Sequence, residues 1–289
     1  MRFSSRLGLG TVQFGMKYGL KKQQATPDQV RDIFRLVRED RSIRWIDTAA
    51  AYGESESLLG RMDLDGLQVF TKVQSLASAE DPVAAVERSV RNSLDQLRRT
   101  RIDGLLIHNV DDLLGPHGAD IWAALQEYKK EGLVGHLGIS AYDADKIQKA
   151  VELHQGIEFV QAPLNVVDQR LLTGGTLRFL ADSGIAFVAR SVFLQGLLLT
   201  SPKNLPDRWA NLKPGLEELS RTARRLGLTK LQLCLGFVLQ CQLVETCVVG
   251  ANSIAQLREI IDTGTIRPVG DLGHLACDDP ALVDPRYWN

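Results

Sequence analysis

Residues 67–108 read LQVFTKVQSLASAEDPVAAVERSVRNSLDQLRRTRIDGLLIH, and this stretch indicates the fold of the whole chain. It begins with one short apolar run, Leu67–Val73, and ends with another, Ile102–His108. Such runs are typical of strands buried on both faces of a parallel sheet. Between them, Asp81-Pro82 supplies a helix N-cap and a first-turn proline, and Val83–Leu97 repeats apolar residues at helical spacing. The stretch therefore predicts two parallel strands joined by a helix.

The same alternation of apolar runs and amphipathic segments continues along the chain. Thr26-Pro27-Asp28 repeats the capping pattern before another helix, and Gly132, Gly184 and Gly227 each follow a helical run, where a left-handed C-cap needs glycine. Eight strands alternating with helices indicate a parallel α/β sheet, either closed as a barrel or open and doubly wound. The predicted strands are Leu7–Thr11, Ile43–Thr48, Leu67–Val73, Ile102–His108, Val134–Ser140, Ile157–Ala162, Ala186–Ser191 and Thr246–Gly250.

The open-sheet alternative requires a glycine-rich dinucleotide fingerprint after the first strand. The nearest match, Gly8-Leu9-Gly10-Thr11-Val12-Gln13, lacks the third glycine and leads into no immediate helix. The sequence therefore favours the (β/α)8 TIM barrel, an α/β fold that accommodates 289 residues as one domain. We expect residues 1–289 to form a single barrel, with the C-terminal tail, residues 264–289, near the barrel mouth.

Composition bears on the partners and the location of the protein. The chain is 44% hydrophobic and 24% charged, with a net charge of −1, which is ordinary for a globular protein. It has no long basic run, so we expect neither nucleic acid nor membrane as a partner. The N-terminus lacks a signal-peptide pattern, and the four cysteines show neither a Cys-x-x-Cys pair nor zinc-ligand spacing. These features predict reduced thiols, no metal site and a cytoplasmic location. They do not indicate an oligomeric state.

Four polar residues stand at the C-terminal ends of successive predicted strands. Asp47 ends the second strand, Tyr52 follows in the same loop, Lys72 lies near the end of the third strand, and His108 ends the fourth. In a barrel these ends converge on the face that carries active sites. A lysine ammonium beside a tyrosine hydroxyl lowers the tyrosine pKa, an aspartate orients the lysine, and a neutral histidine can donate a hydrogen bond to a carbonyl oxygen. Each residue alone is more often structural, but together they predict a catalytic group that protonates a carbonyl oxygen while hydride arrives from elsewhere.

In these residues the sequence resembles the aldo-keto reductase family, and the resemblance extends over nearly the whole chain. It rests on Gly8–Thr11, Asp47–Gly53, Ser55–Gly60, Thr71–Val73, Ile107–Asn109 and Gly138–Ser140. The resemblance implies a barrel enzyme that reduces a small carbonyl compound to an alcohol with NADP(H), with NAD(H) as the second possibility. It identifies Asp47, Tyr52, Lys72 and His108 as the family's catalytic tetrad. Some similar bacterial members are associated with sugar metabolism, which implies a sugar-like substrate.

The resemblance also implies where a nicotinamide cofactor lies. It assigns the carboxamide to Ser140 and Gln161, the pyrophosphate to the loop 191–197, and a phosphate to the start of the last helix. The cofactor-binding residues predicted in this way are Thr11, Ser140, Gln161, Arg190, Ser191, Phe193, Gln195, Gly196, Gly250, Asn252, Gln256 and Glu259.

This sequence departs from the family pattern at several of these positions. Ala141 stands where relatives commonly have Asn, and Arg190 stands where an aromatic residue often stacks on the nicotinamide. Three contacts for Arg190 stay open: the nicotinamide ring, the pyrophosphate and an anionic substrate. Asn252 and Gln256 occupy positions where many relatives carry Lys or Arg for the 2′-phosphate, and Arg258 lies one helical step away.

The substrate pocket and two rival functions complete the interpretation. For seven aromatic residues, we leave open whether they line the substrate pocket or pack in the core: Phe14, Tyr18, Trp45, Phe193, Trp209, Tyr287 and Trp288. Arg286 in the tail suits a carboxylate- or phosphate-bearing substrate. One rival is a metal-dependent barrel hydrolase using Asp47, His108 and His136, although His136 stands near the start of its strand. The other is a non-catalytic relative that binds cofactor as a sensor or subunit.

Overall fold

Eight parallel strands follow one another around a closed barrel in the computed structural model, which describes residues 3–263 and 269–288. Each strand pairs with its neighbour in sequence, and the first pairs with the last, so the predicted (β/α)8 barrel is confirmed. Residues 264–268 and 289 of the predicted tail lie outside the described residues. The strands are β1 Leu7–Gly10, β2 Ile43–Asp47, β3 Gln68–Val73, β4 Ile102–Ile107, β5 Val134–Ser140, β6 Phe159–Pro163, β7 Ala186–Arg190 and β8 Thr246–Gly250.

Helices cover the outside of the barrel and continue into the loops at its rim. The α-helices are α1 Val12–Gly15, α2 Pro27–Asp40, α3 Ser55–Leu59, α4 Pro82–Leu97, α5 Asp111–Leu114, α6 Gly118–Lys130, α7 Ala144–Leu153, α8 Arg170–Thr173, α9 Thr176–Asp182, α10 Lys213–Arg225, α11 Lys230–Gln240, α12 Ile254–Thr263 and α13 Pro280–Val283. Short 3₁₀ turns occupy Leu194–Leu199, Pro202–Asn204, Asp207–Leu212, Gly273–Leu275 and Pro285–Tyr287.

The predicted helix ends are explained by local hydrogen bonds. Thr26 caps α2 through a reciprocal pair of bonds with Gln29, and Asp81 caps α4 by accepting from the Ala84 amide. These bonds satisfy amide groups that the first turn of a helix leaves without partners. Among the described residues, no helix is both long and apolar enough to cross a membrane.

Aromatic side chains fill the interior of the barrel at its N-terminal end. The Phe70 ring stacks 5.0 Å from Phe3, and Trp45 packs edge-on to Phe70 with its Nε1 donating to Thr246 Oγ1 at 3.0 Å. Neighbouring strands give these rings space through glycine, since a Cβ on Gly8 would lie 2.0 Å from the Trp45 ring. Trp45, for which the sequence left pocket and core open, therefore belongs to the core.

The strand register brings the predicted site residues to the other end of the barrel. Asp47, Ser140 and Arg190 are the last residues of β2, β5 and β7. His108 directly follows β4 and lies one residue beyond the observed strand end. The C-terminal rim of the barrel is therefore the place where these side chains meet.

Candidate active site

A buried ion pair between Asp47 and Lys72 forms the base of the rim. Lys72 Nζ lies 2.8 Å from both carboxylate oxygens of Asp47 and donates a third hydrogen bond, of 2.9 Å, to the Thr48 carbonyl. Both side chains are almost wholly buried. Burial lowers the pKa of Lys72, and the charge and hydrogen bonds of Asp47 oppose that shift. Because all three hydrogen-bond partners of Nζ are acceptor oxygens, we assign the ammonium form to Lys72.

Tyr52 lies directly above this pair. Lys72 Nζ is 5.2 Å from the centroid of the Tyr52 ring, so the cation faces the ring of the tyrosine. The loop that carries Tyr52 packs so closely against α1 that neither Gly15 nor Gly53 has space for a side chain. A Cβ on Gly15 would lie 1.7 Å from the Tyr52 carbonyl oxygen, and Gly53 takes a left-handed backbone with φ +57° beside Gly15. Gly15 is a site-shaping residue that the sequence analysis missed.

His108 completes the group from the neighbouring strand end. Its ring packs edge-on against the Tyr52 ring, with centroids 5.8 Å apart. Burial lowers the pKa of His108 to about 3, and the positive charges of Lys72 and Arg190 act in the same direction. The imidazole is therefore neutral at physiological pH, as predicted, and one ring nitrogen carries a hydrogen. The structure thus brings all four residues predicted as the catalytic tetrad together.

The electrostatic role predicted for Lys72 toward Tyr52 is wrong in this structure. Burial raises the pKa of the Tyr52 phenol, the negative charge of Asp47 raises it further, and the cation that lowers it is Arg190. The physical reason is that burial removes the phenol from water, and that Asp47, which is paired with Lys72, offsets the charge of the lysine. Tyr52 consequently holds its proton at neutral pH.

A second buried carboxyl group lies behind Lys72. Glu56, which is only 5% exposed, accepts a hydrogen bond of 2.5 Å from Thr71 Oγ1. Burial raises the pKa of Glu56, while hydrogen bonds from Thr71 and Ser93 and the charge of Lys72 lower it. Because Thr71 directly precedes Lys72, this bond fixes the strand segment that carries the lysine.

Residues predicted for the nicotinamide lie beside the tetrad. Ser140 and Gln161 are register partners on β5 and β6, and Gln161 Nε2 donates to Asp47 Oδ1 at 2.7 Å. Thr11 is buried at the end of β1, where its hydroxyl donates to the Asp47 carbonyl at 3.0 Å and accepts from Ser55. The two side chains predicted to bind the carboxamide are thus adjacent, and Gln161 is hydrogen-bonded to the buried ion pair.

The loop after β7 has an unusual backbone. Ser191, Leu194 and Gln195 all have positive φ values, between 46° and 58°, and Gly196 follows at 87°. Such conformations are unfavourable for residues with a Cβ and persist only where neighbours hold them. Here Asn165 Nδ2 donates to the Ser191 carbonyl at 3.1 Å and the Leu20 amide donates to the Gln195 carbonyl at 3.0 Å. The half-buried Phe193 lies in the same loop.

The start of α12 provides a second polar region at the rim. Ser253 caps the helix, and the Asn252 amide donates to Gln256 Oε1 at 2.8 Å. The Asn252 Oδ1 atom is buried without a hydrogen-bond partner in the described part of the chain, so this acceptor fits a donor of a bound molecule. Arg258 lies against α2, where it lines a surface cavity with Glu39 and Asp40. The other two residues predicted here, Gly250 and Glu259, are exposed.

The C-terminal tail reaches the rim through Arg286. Arg286 donates to both carboxylate oxygens of Asp143, at 2.7 and 2.9 Å, and to the buried Asp284. Its guanidinium also lies 4.2 Å from the centroid of the Tyr142 ring, and Arg190 lies 4.0 Å from the same centroid. The sequence analysis missed Tyr142, for which the motif after β5 gave no signal. Trp288 packs edge-on against the buried Trp209 and so holds the end of the tail.

The three residues of the metal-hydrolase alternative are not brought together. His136 pairs in register with Gly104, away from the strand ends, and its Nδ1 lies 2.7 Å from Glu158 Oε1. Within residues 3–263 and 269–288, no group of three or more His, Cys, Asp or Glu side chains is placed to hold a metal ion. Phe14 is likewise not part of a pocket, because it is wholly buried against Phe34.

The fold and this rim define a barrel oxidoreductase. The model of the aldo/keto reductase family matches residues 6–269, and the chain belongs to that family. The assignment agrees with the resemblance carried by the tetrad motifs.

Known proteins similar to this chain are distant in sequence. The uncharacterized oxidoreductase YrpG of Bacillus subtilis is 24% identical, covering 89% of this chain and 86% of its own length. A D-threo-aldose 1-dehydrogenase of a Pseudomonas species is 28% identical, covering 66% of this chain and 60% of its own length. Among solved structures, the holo form of an aldo-keto reductase from Bacillus halodurans superposes with a TM-score of 0.76 at 21% identity, covering 98% of this chain and 95% of that one. This structural similarity bears on the fold alone.

Proposed function

We propose that this protein reduces an aldehyde or ketone to an alcohol with NADP(H), and that Tyr52 donates the proton to the carbonyl oxygen. The observation that carries the proposal is the continuous set of contacts from Asp47 through Lys72 and Tyr52 to His108 at the C-terminal rim. Membership of the aldo/keto reductase family supports the same reaction class.

Proton transfer is assigned to Tyr52. Because its pKa is raised, the phenol is protonated at neutral pH, which is the form that carbonyl reduction requires at its start. The carbonyl carbon gains hydride, the carbonyl oxygen gains the Tyr52 proton, and the phenolate that remains recovers a proton from solvent. The nearby positive charge of Arg190 stabilises that phenolate.

Substrate orientation is assigned to His108. A neutral imidazole can donate one hydrogen bond to the carbonyl oxygen without competing with Tyr52 for the proton. Two donors, the phenol hydroxyl and the imidazole N–H, would then define the position of the oxygen. This arrangement keeps the carbonyl carbon exposed to the hydride donor.

The residues at the rim fit a nicotinamide dinucleotide, which supplies hydride when it is bound. Ser140 and Gln161 suit the carboxamide, and the unpartnered Asn252 Oδ1 suits a donor on the adenosine end. NADP(H) stays our first choice. NAD(H) is the alternative, because Asn252 and Gln256 bring no positive charge to a 2′-phosphate. The other proposed cofactor contacts are Thr11, Ser191, Phe193, Gln195, Gly196, Gly250 and Glu259, while the ligand of Arg190 is taken up below.

A sugar-like carbonyl compound is the substrate class that we put first. The similar D-threo-aldose 1-dehydrogenase carries an aldose in its name, which supports this choice. Tyr18 and Tyr142 lie near Arg190, and these polar side chains suit a substrate rich in hydroxyl groups.

The proposal is tested by titrating the protein with NADPH and then with NADH, with binding measured from the quenching of protein fluorescence. A panel of aldoses, short aldehydes and aromatic aldehydes is then assayed with the cofactor that binds more tightly. We expect NADPH to bind and at least one aldehyde class to be reduced. Failure of both cofactors to bind would overturn the proposal. Tight binding with no turnover on any carbonyl would favour the non-catalytic sensor instead.

A further inference from the structure

Arg190 is a partly buried cation at the C-terminal rim of the barrel. Its Nη2 donates to the Ala141 carbonyl at 3.2 Å, and its Nη1 lies 3.5 Å from Ser191 Oγ. Its guanidinium carbon lies 4.0 Å from the centroid of the Tyr142 ring. Within the described ranges, no Asp or Glu side chain forms an ion pair with it. Neutral groups thus hold the guanidinium in place, and its charge is not compensated.

Arg286 provides an internal comparison, because it contacts the same Tyr142 ring. Its guanidinium is fully engaged by Asp143 and Asp284, through five hydrogen bonds of 2.6 to 3.1 Å. Both guanidinium groups lie about 4 Å from the centroid of the Tyr142 ring. The tail arginine therefore supports the ring, and Arg190 keeps hydrogen-bonding capacity for a ligand.

The uncompensated charge lies close to the reacting groups. Arg190 lowers the pKa of Tyr52, and it also disfavours the protonated forms of His108 and Lys72. Two cations, Arg190 and Lys72, thus act on one rim, where Asp47 compensates only the lysine. A partly buried cation beside another cation is unfavourable unless an anion compensates it.

The direction of the side chain separates two possible sources of that anion. From the end of β7, Arg190 extends across β6 to the loop after β5, where Ala141 and Tyr142 lie. It therefore points away from β8 and from α12, the region proposed for the phosphate of the cofactor. This direction favours an anionic group of the substrate over a cofactor phosphate.

We propose that Arg190 is a specificity-determining residue that binds a carboxylate or phosphate carried by the carbonyl substrate. The inference rests on the proposed carbonyl reduction and narrows its substrate class to anionic carbonyl compounds. The guanidinium offers a planar pair of donors to the anion, while Tyr142 and the Ala141 carbonyl fix its orientation.

Matched pairs of aldehydes test the inference in the full-length protein with saturating NADPH. Glyoxylate is compared with methylglyoxal, and succinic semialdehyde with 4-oxopentanal, because each pair exchanges a carboxylate oxygen for a methyl group. In Arg190→Gln, we expect KM for the anionic member to rise about tenfold to a hundredfold while the neutral member changes little. Arg190→Lys should retain part of the preference, since it keeps the charge without the planar donors. Equal losses for both members of each pair would overturn the proposal.

Two control variants localise the effect. Arg258→Gln removes an exposed arginine outside the rim, and Arg286→Gln removes the other guanidinium on Tyr142. Arg258→Gln should keep the wild-type ratio of anionic to neutral KM. Arg286→Gln should change that ratio less than Arg190→Gln does, because Arg286 only supports the Tyr142 ring. A preference lost in Arg286→Gln but kept in Arg190→Gln would contradict the proposal.

Two binding measurements separate this inference from the proposed reaction. Fluorescence titration gives the Kd for NADPH. If Arg190→Gln raises this Kd strongly and affects anionic and neutral aldehydes equally, the anion that Arg190 binds belongs to the cofactor and the proposal is overturned. Calorimetric titration compares succinamate, which carries one carboxylate, with neutral succinamide. If wild type reduces no carbonyl, the proposed function fails. Binding of succinamate that is lost in Arg190→Gln would still support the anion site, and equal binding by both proteins would overturn it.

Discussion

Lys72 and Asp47 form an ion pair in which one ammonium group faces both oxygens of one carboxylate, at 2.8 Å each. The pair is almost fully removed from solvent, and Gln161 donates a further hydrogen bond to the same carboxylate. Asp47 therefore links Lys72, a proposed catalytic residue, to Gln161, the proposed contact of the carboxamide.

Replacing Asp47 by Asn should destabilise the protein strongly. The change leaves the Lys72 ammonium buried without its hydrogen-bonded carboxylate, and breaking a buried pair in this way costs about 3–5 kcal/mol. Urea denaturation followed by circular dichroism measures the loss. The double variant Asp47→Asn, Lys72→Met removes the charge as well, so it should recover part of the lost stability. A double variant no more stable than the single one would contradict this account of the pair.

Substitution of Gly104 by Ala should destabilise the barrel interior. A Cβ at this position would lie 2.1 Å from the Phe70 ring, which Phe3, Trp45 and Phe159 prevent from moving aside. Overpacking of this kind costs about 1–3 kcal/mol in free energy of unfolding. The matched control is Gly215→Ala in α10, where nothing lies within 4 Å. There alanine should stabilise the helix by about 0.5–1 kcal/mol. Equal effects at the two glycines would refute the packing argument.

Gly15→Ala should impair activity through the position of Tyr52. The added Cβ would lie 1.7 Å from the Tyr52 carbonyl oxygen and 2.4 Å from the Ser55 amide nitrogen, so the Tyr52 loop must shift. A displacement of about 1 Å at a reacting group can reduce the rate about a hundredfold. Steady-state kinetics should therefore show a lower kcat, with a much smaller change in the Kd for NADPH. Unchanged kcat in a folded variant would mean that this contact does not position Tyr52.

His108 should not titrate near neutral pH. Its pKa in the folded protein is about 3, below the value of 6.5 for an unperturbed histidine. Below about pH 6.5 the unfolded chain therefore binds the proton that the folded protein excludes, and stability falls as the pH falls toward 3. NMR of the imidazole should show the neutral ring from pH 8 down to about pH 5.

The pH dependence of the free energy of unfolding tests the same prediction, with His108→Asn as the control. Between about pH 7 and pH 5, wild type should lose about 2 kcal/mol more stability than the variant. A His108 midpoint between pH 6 and 7, or identical pH dependence of the two proteins, would disprove the shift.

The barrel and the tetrad were predictable because local sequence determines them. Strands buried on both faces must be apolar, so a polar residue such as Asp47 at a strand end is visible in the sequence. The observed strands end one residue before Thr11, Thr48, His108 and Ser191, so the predicted strand ends were accurate to one residue there.

Contacts between distant segments were not predictable in the same way. The stack of Arg190, Tyr142 and Arg286 depends on how a C-terminal tail returns to the loop after β5, which no local pattern encodes. The buried place of Trp45 depends on the space left by Gly8 on the next strand. The raised pKa of Tyr52 depends on its burial and on the nearby charge of Asp47, both of which follow from tertiary packing.

The central claim is that Tyr52 supplies the proton in carbonyl reduction, and Tyr52→Phe tests it most directly. The single-turnover rate of NADPH oxidation is measured with the best aldehyde of the panel, together with the Kd for NADPH. We predict a loss of at least about a hundredfold in the rate, with the Kd little changed, because phenylalanine keeps the ring and removes only the proton donor. A Tyr52→Phe protein that binds NADPH and reduces the aldehyde at the wild-type rate would contradict the account.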